Sequence, residues 1–172
     1  MHTVTGTNSG KSSTALLSVN FVRNGGFESD LTGWNTSGSG TGITLTRVAG
    51  GHSGGWAAQL ANTNTTNQGC VLNDSPDSAK STVAGTYTGS LWVRADRAGA
   101  PLKLRFREYS TSGVLLGTAT AQVTLSTSWQ RVAVAYTVSS PGSTLDFNAY
   151  LSSADAPPGN CFYADDASVS NG

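Results

Sequence analysis

The 172 residues carry ten basic and ten acidic side chains, a formal net charge of zero, and only 12% of the chain is charged. That balance argues against a chain-wide electrostatic role on nucleic acid or at a membrane surface and leaves room only for a local basic patch. No apolar run approaches the length of a membrane span. Abundant Gly, Ser and Thr with scarce Lys suits an all-β extracellular domain better than a cytosolic helical one.

Taken in order, residues 1–19 read as a Ser/Thr/Gly linker or leader, and residues 20–172 as one domain. Ala15–Leu17 is too short an apolar stretch for the core of a signal peptide, so secretion is inferred from composition. Asn20–Val22 is a candidate first strand, followed by turns at Asn24–Glu28 and Leu31–Trp34 and a Gly/Ser loop at Thr36–Gly42. Ile43–Val48 alternates cleanly. Gly50–Gly55 is a Gly-rich turn holding His52, an incidental histidine on this reading. Trp56–Leu60 and Gly69–Leu72 are short strands on either side of a polar loop at Thr63–Gln68.

Ser90–Tyr109 is the most informative stretch. Leu91, Val93 and Ala95 alternate with Ser90, Trp92 and Arg94; Leu102, Leu104 and Phe106 alternate with Lys103, Arg105 and Arg107. Strand side chains point to opposite faces with period two, so each run has a core face and an outer face. The Gly/Ala/Pro-rich segment Asp96–Pro101 predicts a hairpin, which would place Trp92 and the cations on one sheet surface. Val114–Thr124 and Trp129–Val138 follow as strands. Leu145–Leu151 turns Asp146, Asn148 and Tyr150 outward, and Cys161–Val169 is the last strand. No amphipathic helix of useful length is found. About ten short antiparallel strands at regular spacing predict an all-β sandwich, and the long connections favour a jelly roll.

Cys70 and Cys161 lack any zinc-like spacing. In a secreted chain they read naturally as one long-range disulfide; two separate buried thiols are the alternative.

Four segments carry a resemblance: Asn24–Glu28 with Gly33-Trp34, Tyr87–Ala95 (YTGSLWVRA), Val123–Tyr136 (VTLSTSWQRVAVAY) and Tyr163–Val169 (YADDASV). In order and spacing they resemble the carbohydrate-binding modules of families four, nine and twenty-two, over about Asn20 to Ser170. The resemblance implies a jelly-roll sandwich appended to a secreted polysaccharide-degrading enzyme, a glycan cleft on a concave sheet, and a structural calcium where the chain ends meet. Carried onto this sequence, the calcium ligands are Glu28 and Asp165, with backbone carbonyls from Gly26 and the His52–Ser53 turn. Alternation lets only one of Asp165 and Asp166 face Glu28; the bland alternative is that these acids are solvated turn residues.

A glycan site needs aromatic platforms for sugar C–H faces and planar polar groups for hydroxyls. Trp92, Arg94, Lys103, Arg105, Arg107, Asp146, Asn148 and Tyr150 supply both, with Gln68 and Asn73 at the edge; the alternative is a face on which the arginines pair with local acids. Trp34, Trp56 and Trp129 read as structural. The expected ligand is a polysaccharide, either a neutral plant or microbial glycan or a uronate-containing acidic one. The expected covalent partner is a catalytic domain; a monomer is expected, with no nucleic-acid or membrane partner. Two other readings stand beside this one. A jelly-roll polysaccharide lyase lacks a histidine on a core strand to act as base. A purely structural or adhesive sandwich domain would have a fully salt-bridged sheet.

Overall fold

The structure, a computed structural model, describes residues 19–172 with their side chains. Of the leader it describes the backbone of β1 (His2–Asn8) and β2 (Lys11–Leu17), which pair as an antiparallel hairpin from His2↔Leu17 to Asn8↔Lys11. The linker reading of residues 1–19 otherwise lies outside the described residues.

Among the described residues that follow, ten strands build two five-stranded antiparallel sheets. They are β3 (Trp34–Asn35), β4 (Ile43–Ala49), β5 (Trp56–Asn62), β6 (Cys70–Asp74), β7 (Thr86–Arg94), β8 (Pro101–Tyr109), β9 (Leu115–Thr124), β10 (Gln130–Thr137), β11 (Thr144–Leu151) and β12 (Gly159–Asn171). The first sheet runs β10-β7-β12-β5-β4 and the second β3-β6-β11-β8-β9. This is a jelly-roll sandwich. Asn20–Val22, expected as a strand, instead makes one ladder-like bond, Phe21 N–H to Val169 O at 2.8 Å.

The alternation read from the sequence sets which face is buried. On β8, Leu102, Leu104 and Phe106 are buried while Lys103, Arg105 and Arg107 are only partly covered. On β11, Leu145, Phe147, Ala149 and Leu151 point inward. Phe106 and Phe147 meet at 5.1 Å and press against β7 at Gly89, where an added Cβ would lie 2.5 Å from the Phe147 ring. A side chain there would force the two sheets apart, so the close approach requires glycine.

The hairpin expected across Ser90–Tyr109 is corrected. β7 pairs with β10 and β12, β8 pairs with β11 and β9, and the two strands lie in opposite sheets. Alternation fixes a strand's orientation to the core but not its partner. A short Gly/Ala/Pro link serves equally well as a corner between sheets. Here it is held by Ala95 N–H to Ser126 O, Gly99 N–H to Leu125 O, and Leu125 N–H to Ala100 O, each 2.8–2.9 Å.

Cys70 on β6 and Cys161 on β12 form the expected disulfide, joining the two sheets. Their separation of 91 residues closes a long loop, and the loop-entropy model assigns such a link roughly 4–5 kcal/mol. A second tie is Glu108, inward on β8 and fully buried. It accepts hydrogen bonds from Tyr136 Oη (2.7 Å), Ser139 Oγ (2.6 Å), the N–H groups of Ser139 (3.0 Å) and Ser140 (2.9 Å), and Ser143 Oγ (2.7 Å). Burial opposes its ionisation, but the donors, Ser139 and Tyr136 foremost, prevail and hold its carboxyl at about 2. The carboxylate thereby pins the β10–β11 corner to the core.

Candidate functional site

The outer face of the second sheet carries rows of polar side chains that cross its strands. The strand registers put Asn35, Asn73, Asn148, Arg105 and Thr120 in one row across all five strands. Val71, Tyr150, Lys103 and Gln122 form the next row, and Asp146, Arg107 and Thr118 lie on the other side. The row arises because period-two alternation on each strand coincides with an in-register ladder.

The side chains of this face brace one another. Arg107 Nε donates to Asp146 Oδ2 at 2.8 Å, and Asn148 Nδ2 donates to the same oxygen at 2.7 Å. Arg105 Nε donates to Asn148 Oδ1 at 3.2 Å. The Arg105 guanidinium lies over the Tyr150 ring at 4.5 Å, Lys103 Nζ lies 5.8 Å from that ring, and Arg107 lies over Tyr109 at 5.5 Å. Asn148 is fully covered by these neighbours, although it faces outward. Beside Tyr150 and Arg105 the face opens into a groove of about 500 Å³, walled by Ser39, Gly40, Gln68, Ser152 and Ser153. Asn73 stands opposite Asn148, its amide bonded to Asp74 O at 2.7 Å.

Trp92 and Arg94 are not on this face. They belong to β7 in the first sheet, whose outer surface points the other way. There Trp92 is stacked on His52 at 3.6 Å, and His52 meets Trp129 edge-on at 6.1 Å. Arg94 lies between Trp129 (5.2 Å) and Tyr163 (3.9 Å). These rings cover each other, and His52 is a built part of the cluster rather than incidental. Trp129 is half-buried against Arg94 and His52, and Trp56 is exposed beneath Arg47 at 3.7 Å. Trp34 is buried against Phe27, as a structural residue should be.

A second constellation gathers around Gly51–Trp56. Asp165 Oδ2 accepts from His52 N–H (2.7 Å) and Ser53 N–H (3.1 Å); Asp166 binds His52 Nδ1 (2.7 Å) and Ser53 Oγ (2.6 Å). Glu28 accepts from Gly55 N–H and Trp56 N–H at 3.1 Å. Both aspartates therefore reach one loop. β12 shifts register between Asp165 and Ser168, and Asp166 takes a left-handed φ of 47°, which cancels the alternation. Burial raises the Asp165 carboxyl above its ordinary value, against the lowering from the Asp166, Ser53 and His52 N–H groups. Gly26 lies alongside: a Cβ there would be 3.9 Å from Asp166 Oδ1 and from Glu28 Cγ.

Residues 19–157 match the family model CBM 4/9, described as a carbohydrate binding domain. The chain belongs to this family. Among solved structures, this carbohydrate binding domain is similar to TmCBM61, solved in complex with β-1,4-galactotriose, at 16% identity and TM-score 0.62, over 90% of this chain and 99% of that one. It is similar to the CBM22-1 xylan-binding domain of Paenibacillus barcinonensis Xyn10C at 20% identity and TM-score 0.56, over 90% and 92% of the two chains. It is also similar to the enzymatically active domain of bacteriophage CBA120 tailspike protein 4, at 13% identity and TM-score 0.68; 88% of this chain aligns, but it spans only 21% of that one. These likenesses show a shared fold. No curated protein sequence matches the chain.

Two acidic groups in the carbohydrate binding domain have the chemistry to hold a hard cation. Asp74, Asp77 and Asp146 each offer an oxygen within 4.8 Å of the others, and so could hold a metal ion. Burial pushes the Asp74 carboxyl up to about 7, against the lowering from its bonds to Ser78 and Phe147; burial and then Asp146 raise Asp77. The sequence reads Asp146 as a glycan contact, and Asp74 on β6 and Asp77 in the segment after it carry no local sign that they meet it. The Gly51–Trp56 group has carboxylates of the right type, but among the described residues Glu28, Asp165 and Asp166 do not bring their oxygens within 4.8 Å of one another as the first group does. A Cβ on Gly51 would lie 2.6 Å from Ser53 O and 2.8 Å from Asp165 Oδ2, so the loop packs tightly against Asp165, while Glu28 faces the N–H groups of Gly55 and Trp56.

Proposed function

We propose that this carbohydrate binding domain is a non-catalytic module that holds a polysaccharide on the outer face of its second sheet, and that it tethers an attached catalytic domain to that substrate. The observation that carries the reading is the polar row Asn35–Asn73–Asn148–Arg105–Thr120 running beside Tyr150 and an open groove. Tyr150 supplies the platform for a sugar face, and Asn73, Gln68, Lys103 and Arg105 supply donors and acceptors for hydroxyls. Arg107, Asp146 and Asn148 hold the others in place. Weak, reversible binding of this kind raises the local concentration of a linked enzyme.

Support for a non-catalytic role comes from the acids on this face. Asp146 is occupied by Arg107 and Asn148, and among the described residues His52, a residue able to serve as base, stands on the opposite surface. The disulfide fits an extracellular, secreted domain. No helix among the described residues is long and apolar enough to cross a membrane.

Glu28 and Asp165, with the carbonyls of Gly26 and Ser53, would hold a structural calcium; the ion would supply stability at the meeting of the chain ends. The same carboxylates tie down the Gly51–Trp56 loop through its N–H groups.

Native affinity electrophoresis through neutral and acidic polysaccharides tests the reading. Retardation by at least one polymer, lost on Tyr150→Ala, supports it. Free migration through every gel points to a structural or adhesive sandwich domain.

A further inference from the structure

We infer that the groove beside Tyr150 selects glycans that carry a carboxylate, and that Arg105 is the residue that reads it. This rests on the reading of the outer face of the second sheet as the glycan site. Among the described residues, Arg105 is the sole charged one walling the groove, and no acid lines it. Its Nε is used internally, on Asn148 Oδ1, while among the described residues its two terminal nitrogens make no hydrogen bond within the chain. Stacking on Tyr150 at 4.5 Å and the bond to Asn148 fix the plane of the guanidinium. A guanidinium held this way presents a planar, two-pronged donor, which matches a carboxylate and gains little from a single hydroxyl.

The neighbouring cations sharpen the contrast. Arg107 is neutralised by Asp146 at 2.8 Å. Lys103 stands opposite Tyr150 in the ladder and pairs with no acid among the described residues. The face therefore has a neutralised end at Arg107–Asp146 and a positive end at Lys103–Arg105, on which the groove opens. The protein's zero net charge makes this a local device. Gln68, Ser39, Ser152 and Ser153 surround it with neutral donors and acceptors suited to ring hydroxyls. The substrate class is an acidic polysaccharide with uronate units.

The test is affinity electrophoresis of the whole chain at low salt through three gels: polygalacturonate, the same polymer after chemical reduction of its carboxyls, and a sulfated polysaccharide of equal charge density. The expected result is an affinity for polygalacturonate about tenfold above that for the reduced polymer and clearly above that for the sulfated one. Arg105→Gln and Arg105→Lys should both erase that preference, since Lys keeps the charge but not the fork. Arg131→Gln, an exposed residue on the first sheet, should leave it intact. Equal retention by the native and reduced polymers overturns the inference and leaves the glycan face standing. Equal retention by the sulfated polymer reduces it to bulk charge and also overturns it. No retention by any gel overturns the inference together with the reading on which it rests.

Discussion

Arg105 on β8 lies over Tyr150 on β11 and is anchored by Asn148: the guanidinium lies 4.5 Å from the ring centre while its Nε bonds to the Asn148 amide oxygen at 3.2 Å. Asn148 also donates to Asp146, so one fully buried amide sets both arginines of the face. Asn148→Ala leaves Asp146 short of a donor and Arg105 without an acceptor. The expected cost is about 1–3 kcal/mol of stability, together with weaker glycan binding. Urea unfolding and affinity electrophoresis on the same variant check both.

Glu108 predicts a specific acid limit. Its folded value of about 2 lies below the ordinary carboxylate value of 4.5. The folded state therefore releases this proton more readily than the unfolded chain. The stabilisation is complete above pH 4.5 and is lost as pH falls through 2. A difference of this size corresponds to about 3 kcal/mol. Melting temperature against pH should fall steeply in that window for the native protein. Glu108→Gln should be less stable at pH 7 by a similar amount and should lack that part of the slope. A parallel slope in the variant would assign the acid limit to another group.

The sequence made the orientation of each strand legible and left the partnering hidden. Lys103, Arg105, Arg107, Asp146, Asn148 and Tyr150 alternate with core residues, and one buried face is enough to reveal that pattern. Nothing in local composition tells a hairpin link from a sheet-to-sheet corner. Alternation alone therefore cannot place Trp92 and Arg94 in the first sheet, apart from the face of Tyr150. That Asp165 and Asp166 both reach the His52–Ser53 turn is hidden in the sequence for a different reason. A bulge with one left-handed residue breaks the period that the reading relied on, although Asp is among the side chains that tolerate such a φ. His52 carries no local sign of its partner, because Asp166 lies 114 residues away.

The two acidic groups predict different outcomes on metal removal. With calcium at Glu28 and Asp165, a chelator lowers the melting temperature of the native protein, and Asp165→Asn abolishes that response. With the ion at Asp74, Asp77 and Asp146, Asp74→Asn abolishes it instead. Differential scanning fluorimetry with and without chelator separates the two. No shift in the native protein would remove the structural-calcium proposal.

On the proposed function the glycan lies on the face of Tyr150 and not on the face of Trp92. Isothermal titration of the native protein, Tyr150→Ala and Trp92→Ala, each checked for an unchanged fold, with a soluble polysaccharide that retards the native protein, decides it. Loss of at least about tenfold in affinity in Tyr150→Ala, with Trp92→Ala binding like the native protein, is the predicted result. Binding retained in Tyr150→Ala and lost in Trp92→Ala would contradict the account and move the site to the first sheet.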